Sequence, residues 1–335
     1  MSAPVTDDVV LRVNGLSTTF YQAGRPNPAV IDVSFQVHAG QTLGLVGESG
    51  CGKSATAASI MQLLPPLARI DRGEVIYHSA DGVVDIATLR RDGKRMRSLR
   101  GPEIAMIFQD PMVSLNPVYT VGWQIVEMIR LHKKVSRSAA RQSAVSLLGQ
   151  MGIPDPERRF DEYPHQFSGG MRQRAMIAMA LACEPRLLVA DEPTTALDVT
   201  IQAQIFELLK QQSVERSMAT ILITHDMGVV AELTDRVAVM YMGRIVEYGR
   251  TQDILDDPQH PYTRALIAAI PQLGRGKDQQ LVAVGGSTPD PYHRPPGCQF
   301  APRCPLARDV CDTIPPMVEV GEGHAMHCWR LSFDD

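Results

Sequence analysis

Aromatic side chains are scarce in this chain: they make up 5% of its 335 residues, and only two are tryptophan. Long apolar runs are missing as well. No stretch approaches the ~20 residues needed to cross a bilayer, and the N-terminal MSAPVTDDVV has no basic segment leading into an apolar core. A chain that is neither secreted nor membrane-spanning is therefore expected. Charge of one sign is not in excess either. A net charge of −4 supplies no general attraction to nucleic acid or anionic lipid, so any membrane association is expected to run through a protein partner. Cysteine is sparse and uneven: Cys51 and Cys183 stand alone, while Cys298, Cys304, Cys311 and Cys328 crowd together near the C-terminus. Without an export signal, that crowding reads as metal before disulfide. What the chain does have is 44% hydrophobic content, ample for a packed core in one large domain or two. No internal repeat is visible.

The organising stretch is Leu43 to Ser54, LGLVGESGCGKS, where a strand-like apolar run meets a loop of the form G-x-x-x-x-G-K-[ST]. Gly47, Gly50 and Gly52 let successive backbone N–H groups face one concavity, and the helix that follows aims its positive dipole end at the same point. Such a cradle suits a nucleoside triphosphate. Lys53 would reach the β- and γ-phosphates, and the Ser54 hydroxyl would take one position on Mg²⁺. Glu48, Ser49, Cys51 and Ala55 complete the expected nucleotide-binding loop. Cys51 is expected to be an alkylation-sensitive bystander rather than a catalytic group.

Upstream, Val9 to Val37 alternates apolar and polar residues around a Gly24-to-Pro28 turn, as antiparallel strands with one buried face do. Phe20 and Tyr21 precede that turn; either would stack on an adenine ring, and Phe20 is favoured. Downstream, a helix is expected over 55–64, strands over 73–77 and 104–108, and a helical insertion over about 112–166 with periodicity from Val118 to Gly152. A helix over 175–183, strands over 187–190 and 219–224, and a helix over 201–212 alternate as in a largely parallel α/β sheet. Strands over 237–241 and 244–248 form a hairpin around Gly243. From Asp256 the composition turns Pro- and Gly-rich, so a boundary is placed at 255/256.

Carboxylates and amides sit where such a sheet presents ligands. Asp191, after the apolar run LLVA, would hold Mg²⁺ opposite Ser54, and Glu192 would polarise a water as general base. His225, after ATILIT, would hold the γ-phosphate, Glu192 or the water. Gln109 would reach Mg²⁺ or the water through its amide. Ser168, Gly169 and Gly170 offer a hydroxyl and bare N–H groups just before a helix, a second anion-binding constellation. A single nucleotide has no use for two, so Ser168 is expected to cap the γ-phosphate of ATP held by a partner subunit.

Taken together, GESGCGKS, FQDPMVSLNP, FSGGMRQR, LLVADEP, TALD and LITHD resemble, in content and order, the ATPases of ATP-binding cassette transporters. The resemblance implies a P-loop NTPase of α/β class, with a RecA-like core, an antiparallel β subdomain and the helical insertion, over residues 1–255. It implies Walker A at Gly47 to Ser54, the Q-loop at Gln109, and Walker B at Asp191 with catalytic Glu192. It further implies the D-loop at Asp198, the switch at His225, and a signature acting in trans through Ser168, Gly169, Gly170 and Gln173. Phe167 and Met171 depart from the commoner Leu and Gln.

The tail over 256–335 resembles the C-terminal extension of dipeptide and oligopeptide importer ATPases, a subfamily that also serves nickel, opines and some oligosaccharides. The implied cofactors are ATP, Mg²⁺ and a 4Fe-4S cluster on Cys298, Cys304, Cys311 and Cys328, with Zn²⁺ as the alternative. His324 and His327 are second-choice ligands. The implied partners are a second ATPase subunit, two transmembrane permeases reached near Gln109 to Trp123, and an extracytoplasmic solute-binding protein, with no nucleic acid. The implied place is the cytoplasmic face of the bacterial inner membrane. The competing function is a soluble cassette ATPase acting on nucleic acid or ribosomes.

Overall fold

A computed structural model describes residues 8–22, 24–110, 114–194, 199–269 and 285–330. In chain order these form β1 (Val9–Gln22), β2 (Arg25–His38), β3 (Thr42–Val46), α1 (Lys53–Ile60), β4 (Ala68–Ser79), β5 (Gly82–Asp85), α2 (Lys94–Leu99) and β6 (Ile104–Ile107). There follow α3 (Val121–His132), α4 (Arg137–Gln150), α5 (Pro156–Arg159), α6 (Gly169–Leu181), β7 (Leu187–Asp191), α7 (Val199–Arg216) and β8 (Ala219–Ile223). The chain ends through α8 (Met227–Leu233), β9 (Arg236–Tyr241), β10 (Arg244–Arg250), α9 (Thr251–Asp256), α10 (Pro261–Ala268), β11 (Met317–Gly321) and β12 (His324–His327). No helix among the described residues is long and apolar enough to cross a membrane.

Two compact units divide the chain, the first built from residues up to Leu11, Gln36–Gln41 and Ile76–Leu222. Its strand order is β8-β7-β6. Strands β6 and β7 pair in parallel, Ile104 beside Leu187 through Ile107 beside Ala190. Every residue of β7 and β8 is buried, which is why both read as unbroken apolar runs rather than as alternation. The helical segment lies wholly in this unit. Thr120 caps α3 by accepting the Trp123 N–H at 3.3 Å, and Ser136 caps α4 by accepting that of Ala139 at 3.1 Å. Gly122 has no side chain because the Phe160 ring occupies the place a Cβ would take.

The second unit holds Arg12–Phe35, Thr42–Val75 and everything from Ile223 onward. Here β3 runs parallel to β9, with Leu43 opposite Arg236, and β9 pairs antiparallel with β10. The hairpin does not end the sheet. Strand β12 adds to the free edge of β10, and β11 adds to β12, giving the order β11-β12-β10-β9-β3. The segment after residue 255 thus supplies two strands to the unit that carries the P-loop, and the boundary placed at 255/256 falls inside that unit. The core here combines Val46, Val237, Val239 and Val246 with a cluster of Tyr241, Tyr262 and Phe300, whose ring centroids lie 4.7–5.4 Å apart.

Several limits move from their expected places for local reasons. The helix expected over 55–64 ends at Ile60, because the chain leaves it through Gln62 in the left-handed region (φ 50°) before the prolines are reached. The helix expected from Ala175 begins at Gly169, because Ser168 accepts the Met171 N–H and so starts it ahead of two poor helix formers. Strand β2 runs through Pro26 and Pro28, shortening the expected turn; it stands at the end of the order β2-β1-β4, where proline costs no ladder hydrogen bond.

Candidate functional site

Between β3 and α1, the loop from Gly47 to Gly52 takes the conformation its glycines allow. Gly47, Gly50 and Gly52 have φ of 147°, 79° and 111°. At Gly47 a Cβ would strike the Met240 carbonyl oxygen, and at Gly52 that of Ala29, so these two are required by close approach as well as by backbone angle. Lys53 is buried and folds back over the loop, donating from Nζ to the carbonyls of Gly47 at 2.8 Å and Glu48 at 3.1 Å. Ser54, at the second position of α1, is exposed. Cys51 is 4% exposed, and burial pushes its thiol up, only partly offset by the charge of Lys53. The expected alkylation sensitivity is corrected accordingly: a buried, protonated thiol is a poor nucleophile.

The adenine candidates separate cleanly. Tyr21 is committed elsewhere, with the Arg69 guanidinium 4.7 Å from its ring centroid and donating to its hydroxyl at 2.7 Å. Phe20 is half-buried and carries no such contact among the described residues. His225, just beyond β8, is exposed, and Asp226 after it caps α8 by accepting the Gly228 N–H at 2.8 Å.

In the first unit, Asp191 is the last residue of β7 and is buried, while Glu192 turns out of the strand with φ 46°. A non-glycine residue in that region is held there at a cost of order 1–3 kcal/mol. The Gln109 amide donates to Glu192 Oε2 at 2.9 Å, so two of the expected catalytic groups meet directly. Ser168 is exposed at the N-terminus of α6, its oxygen accepting from Met171 N–H at 3.3 Å, and Gly169 and Gly170 form the first turn behind it. Gln173 departs from expectation. It is 1% exposed and its amide donates to the Pro193 carbonyl, so it braces the turn after Glu192 within its own subunit instead of facing a partner. Asp198 lies outside the described residues.

The four C-terminal cysteines line one cavity together with Phe300 and His260, and all four are free thiols. Burial pushes Cys298 up to about 11 and raises Cys304 and Cys328; the neighbouring cysteines add to each shift. Thiols held in this way are protonated at neutral pH, and binding a metal or cluster would require them to lose those protons to solvent as the sulfurs coordinate. Among the described residues, however, no group of three or more His, Cys, Asp or Glu side chains is arranged to hold a metal ion. The histidines are spoken for. His324 Nε2 lies 2.8 Å from Glu247 Oε1, and His327 Nδ1 is 3.4 Å from the Pro315 carbonyl.

Sequence reasoning missed a set of side chains that tie the C-terminal segment to the P-loop. Arg303 grips the Glu48 carboxylate with both terminal nitrogens, at 2.7 and 3.0 Å, and Thr288 donates to the same carboxylate at 3.3 Å. The Tyr262 hydroxyl accepts the Glu48 N–H at 2.9 Å. Arg294 donates to the carbonyls of Met242 and Pro28, each at 2.5 Å, behind the Gly243 turn whose N–H reaches Cys51 O at 2.7 Å. Glu247, fully buried, accepts from the N–H groups of Gln259 and His260 and pairs with His324. The one signal available was Glu247 at an inward position of a strand-like run.

Comparison with known proteins adds to this geometry. A family model described as ABC transporter matches residues 30–195, and a model described as the oligopeptide/dipeptide transporter C-terminal region matches 246–311. The dipeptide transport ATP-binding protein DppD of Bacillus subtilis is 50% identical over 322 residues, covering 96% of this chain and 94% of its own. The oligopeptide transport ATP-binding protein OppD of the same organism is 48% identical, covering 97% of this chain and 90% of its own. Among solved structures, a post-hydrolysis dimer of the ATP-binding cassette MJ0796 with ADP and phosphate matches with a TM-score of 0.63 at 25% identity, covering 72% of this chain and 98% of that one.

Proposed function

The chain belongs to the ABC transporter family, and from that membership we propose that it is the ATP-hydrolysing subunit of a membrane importer for dipeptides, oligopeptides or related solutes. The observation that carries the proposal is the 50% identity to a dipeptide transport ATP-binding protein across 96% of the chain, C-terminal segment included. A soluble cassette ATPase working on nucleic acid or ribosomes is not favoured, since the same segment matches a peptide-transporter family model.

Each site residue has a proposed task. The loop N–H groups from Ser49 to Ala55 and the Lys53 ammonium bind the phosphates, with Lys53 exchanging the Gly47 and Glu48 carbonyls for phosphate oxygens. Ser54, Asp191 and Gln109 serve Mg²⁺, and Phe20 stacks on the base. Glu192 is the general base for the attacking water and His225 steadies the γ-phosphate. The Gln109 amide donates to Glu192 Oε2 at 2.9 Å, which brings the metal-side amide and the proposed base to one point. Ser168, with the N–H groups of Gly169 and Gly170, caps the γ-phosphate of the nucleotide on a second ATPase subunit; its oxygen accepts within the helix while its proton stays available to donate. Asp198 is assigned to the same interface. Exposed Val118 and Tyr119 just ahead of α3, with Trp123 in its first turn, supply apolar surface for a permease. Two permeases and an extracytoplasmic solute-binding protein complete the assembly, with this subunit at the cytoplasmic face of the inner membrane.

Cys298, Cys304, Cys311 and Cys328 are proposed to hold a 4Fe-4S cluster. Their convergence on one cavity supports the reading, and the cluster's task there is to crosslink a segment poor in regular structure. The function is tested with Glu192→Gln in the complex purified with its permeases. That variant is expected to bind MgATP and stall as a closed dimer, with hydrolysis reduced about 10²–10⁴-fold; rapid hydrolysis removes Glu192 from the base role, and a preparation without permeases removes the transport assignment.

A further inference from the structure

A carboxylate inside a phosphate-binding loop is a liability. Glu48 is the one acidic residue between Thr42 and Ser54, and it directly follows Gly47. Left alone, its charge would oppose a triphosphate at close range, weakly screened by water. The molecule answers with a guanidinium from far along the chain. Arg303 meets both carboxylate oxygens in a two-pronged contact, its side chain 4% exposed and that of Glu48 27% exposed. Tyr241 accepts a further hydrogen bond from Arg303 at 3.3 Å, and the Gly285 carbonyl accepts one from Nε at 2.8 Å, so the guanidinium is itself held in place. The Tyr262 hydroxyl meanwhile takes up the Glu48 N–H, which fixes the loop backbone beside the pinned side chain. The geometry points to Arg303 as a positioning residue for nucleotide binding: it neutralises and orients Glu48, so that the P-loop accepts a triphosphate only while the C-terminal segment is docked.

This inference rests on the P-loop reading and extends it to a segment that has no place in the phosphate cradle. Arg303 precedes Cys304, one of the four cavity thiols, so whatever orders that cavity also sets the position of the guanidinium. ATP affinity is thereby tied to the folding of the tail.

Charge neutralisation and plain structural support are separated by measuring dissociation constants of the full chain for MgATP and for ADP. Arg303→Gln keeps a hydrogen-bonding side chain and loses the charge; it is expected to weaken ATP about tenfold or more, and ADP distinctly less, because repulsion grows with phosphate charge. Arg303→Lys keeps the charge and is expected to preserve the ATP-to-ADP preference of the natural chain. Adding Glu48→Gln to Arg303→Gln removes the repelling carboxylate and is expected to recover most of the lost ATP affinity. Equal weakening of ATP and ADP in Arg303→Gln, no recovery in the double variant, or indistinguishable Lys and Gln variants would each overturn the inference. A natural chain that binds neither nucleotide would instead sink the P-loop reading itself. Should Arg303→Gln fail to fold, as judged by its thermal transition, the Lys variant decides: loss of the ATP preference despite a retained charge overturns the proposal, and its retention supports it.

Discussion

His260 is 1% exposed, and its Nδ1 accepts the Tyr262 N–H at 3.0 Å to cap α10, an arrangement open only to the neutral ring. Burial, reinforced by nearby His327, pushes it down to about 3. An unfolded histidine takes up a proton below about pH 6.5, whereas the folded one stays neutral, so acid favours the unfolded chain. Stability is expected to be intact above that pH and to fall as pH drops below it, by up to about 1.4 kcal/mol per pH unit from this group alone. Denaturant midpoints between pH 7 and 5 measure the slope. His260→Asn keeps a cap acceptor without a titrating ring and should flatten it; an unchanged slope would show that other groups govern the acid response. At this scale the sequence marked Gly47, Lys53, Asp191 and Glu192 by type and spacing, since a phosphate cradle and a strand-end carboxylate demand those residues there. It left Arg303, Tyr262 and Glu247 unmarked. Their partners are more than ten, and for Arg303 more than two hundred, positions away.

Among the elements, the P-loop and its flanking β3 and α1 show most directly how backbone freedom becomes function. Gly52, at φ 111°, is the N-cap of α1 and has the Ala29 carbonyl where a Cβ would go. Gly52→Ala is expected to displace the loop. The backbone angle alone costs about 1–3 kcal/mol, so ATP affinity should fall roughly tenfold or more, read by equilibrium binding of a fluorescent ATP analogue; near-natural affinity would mean the loop tolerates rearrangement. Strands β7 and β8 were legible nearly to the residue, because a short, unbroken apolar run bounded by charged or polar residues suits a strand buried on both faces. The start of α6 was not, since the Ser168 cap outweighs the low helix propensity of Gly169 and Gly170. Strands β11 and β12 were missed too: MVEVG and HAMH are too short and too polar to announce themselves, and they become strands by adding to the edge of β10.

For the whole molecule, the segment after residue 255 matters more than its composition suggests. It lends β11 and β12 to a sheet, packs Tyr262 and Phe300 into a core, and sends Arg294 and Arg303 to the P-loop and its supporting turn. The cavity of four cysteines sits in this same segment. Protein purified without oxygen is expected to show visible charge-transfer absorbance and about four irons per chain, as a 4Fe-4S cluster requires, and to lose thermal stability when chelated; zinc in place of iron, or no metal at all, would remove the cluster.

The sequence by itself determined the family, the order of the nucleotide motifs and the gathering of four thiols near one end, because each is a matter of residue type at short spacing along the chain. Only the tertiary structure decided that Gln109 holds Glu192, that Gln173 turns inward, and that the tail clasps the phosphate loop through Arg303 and Tyr262. Those contacts join residues 20 to 255 positions apart, and no local periodicity encodes which distant partner a buried charge will find.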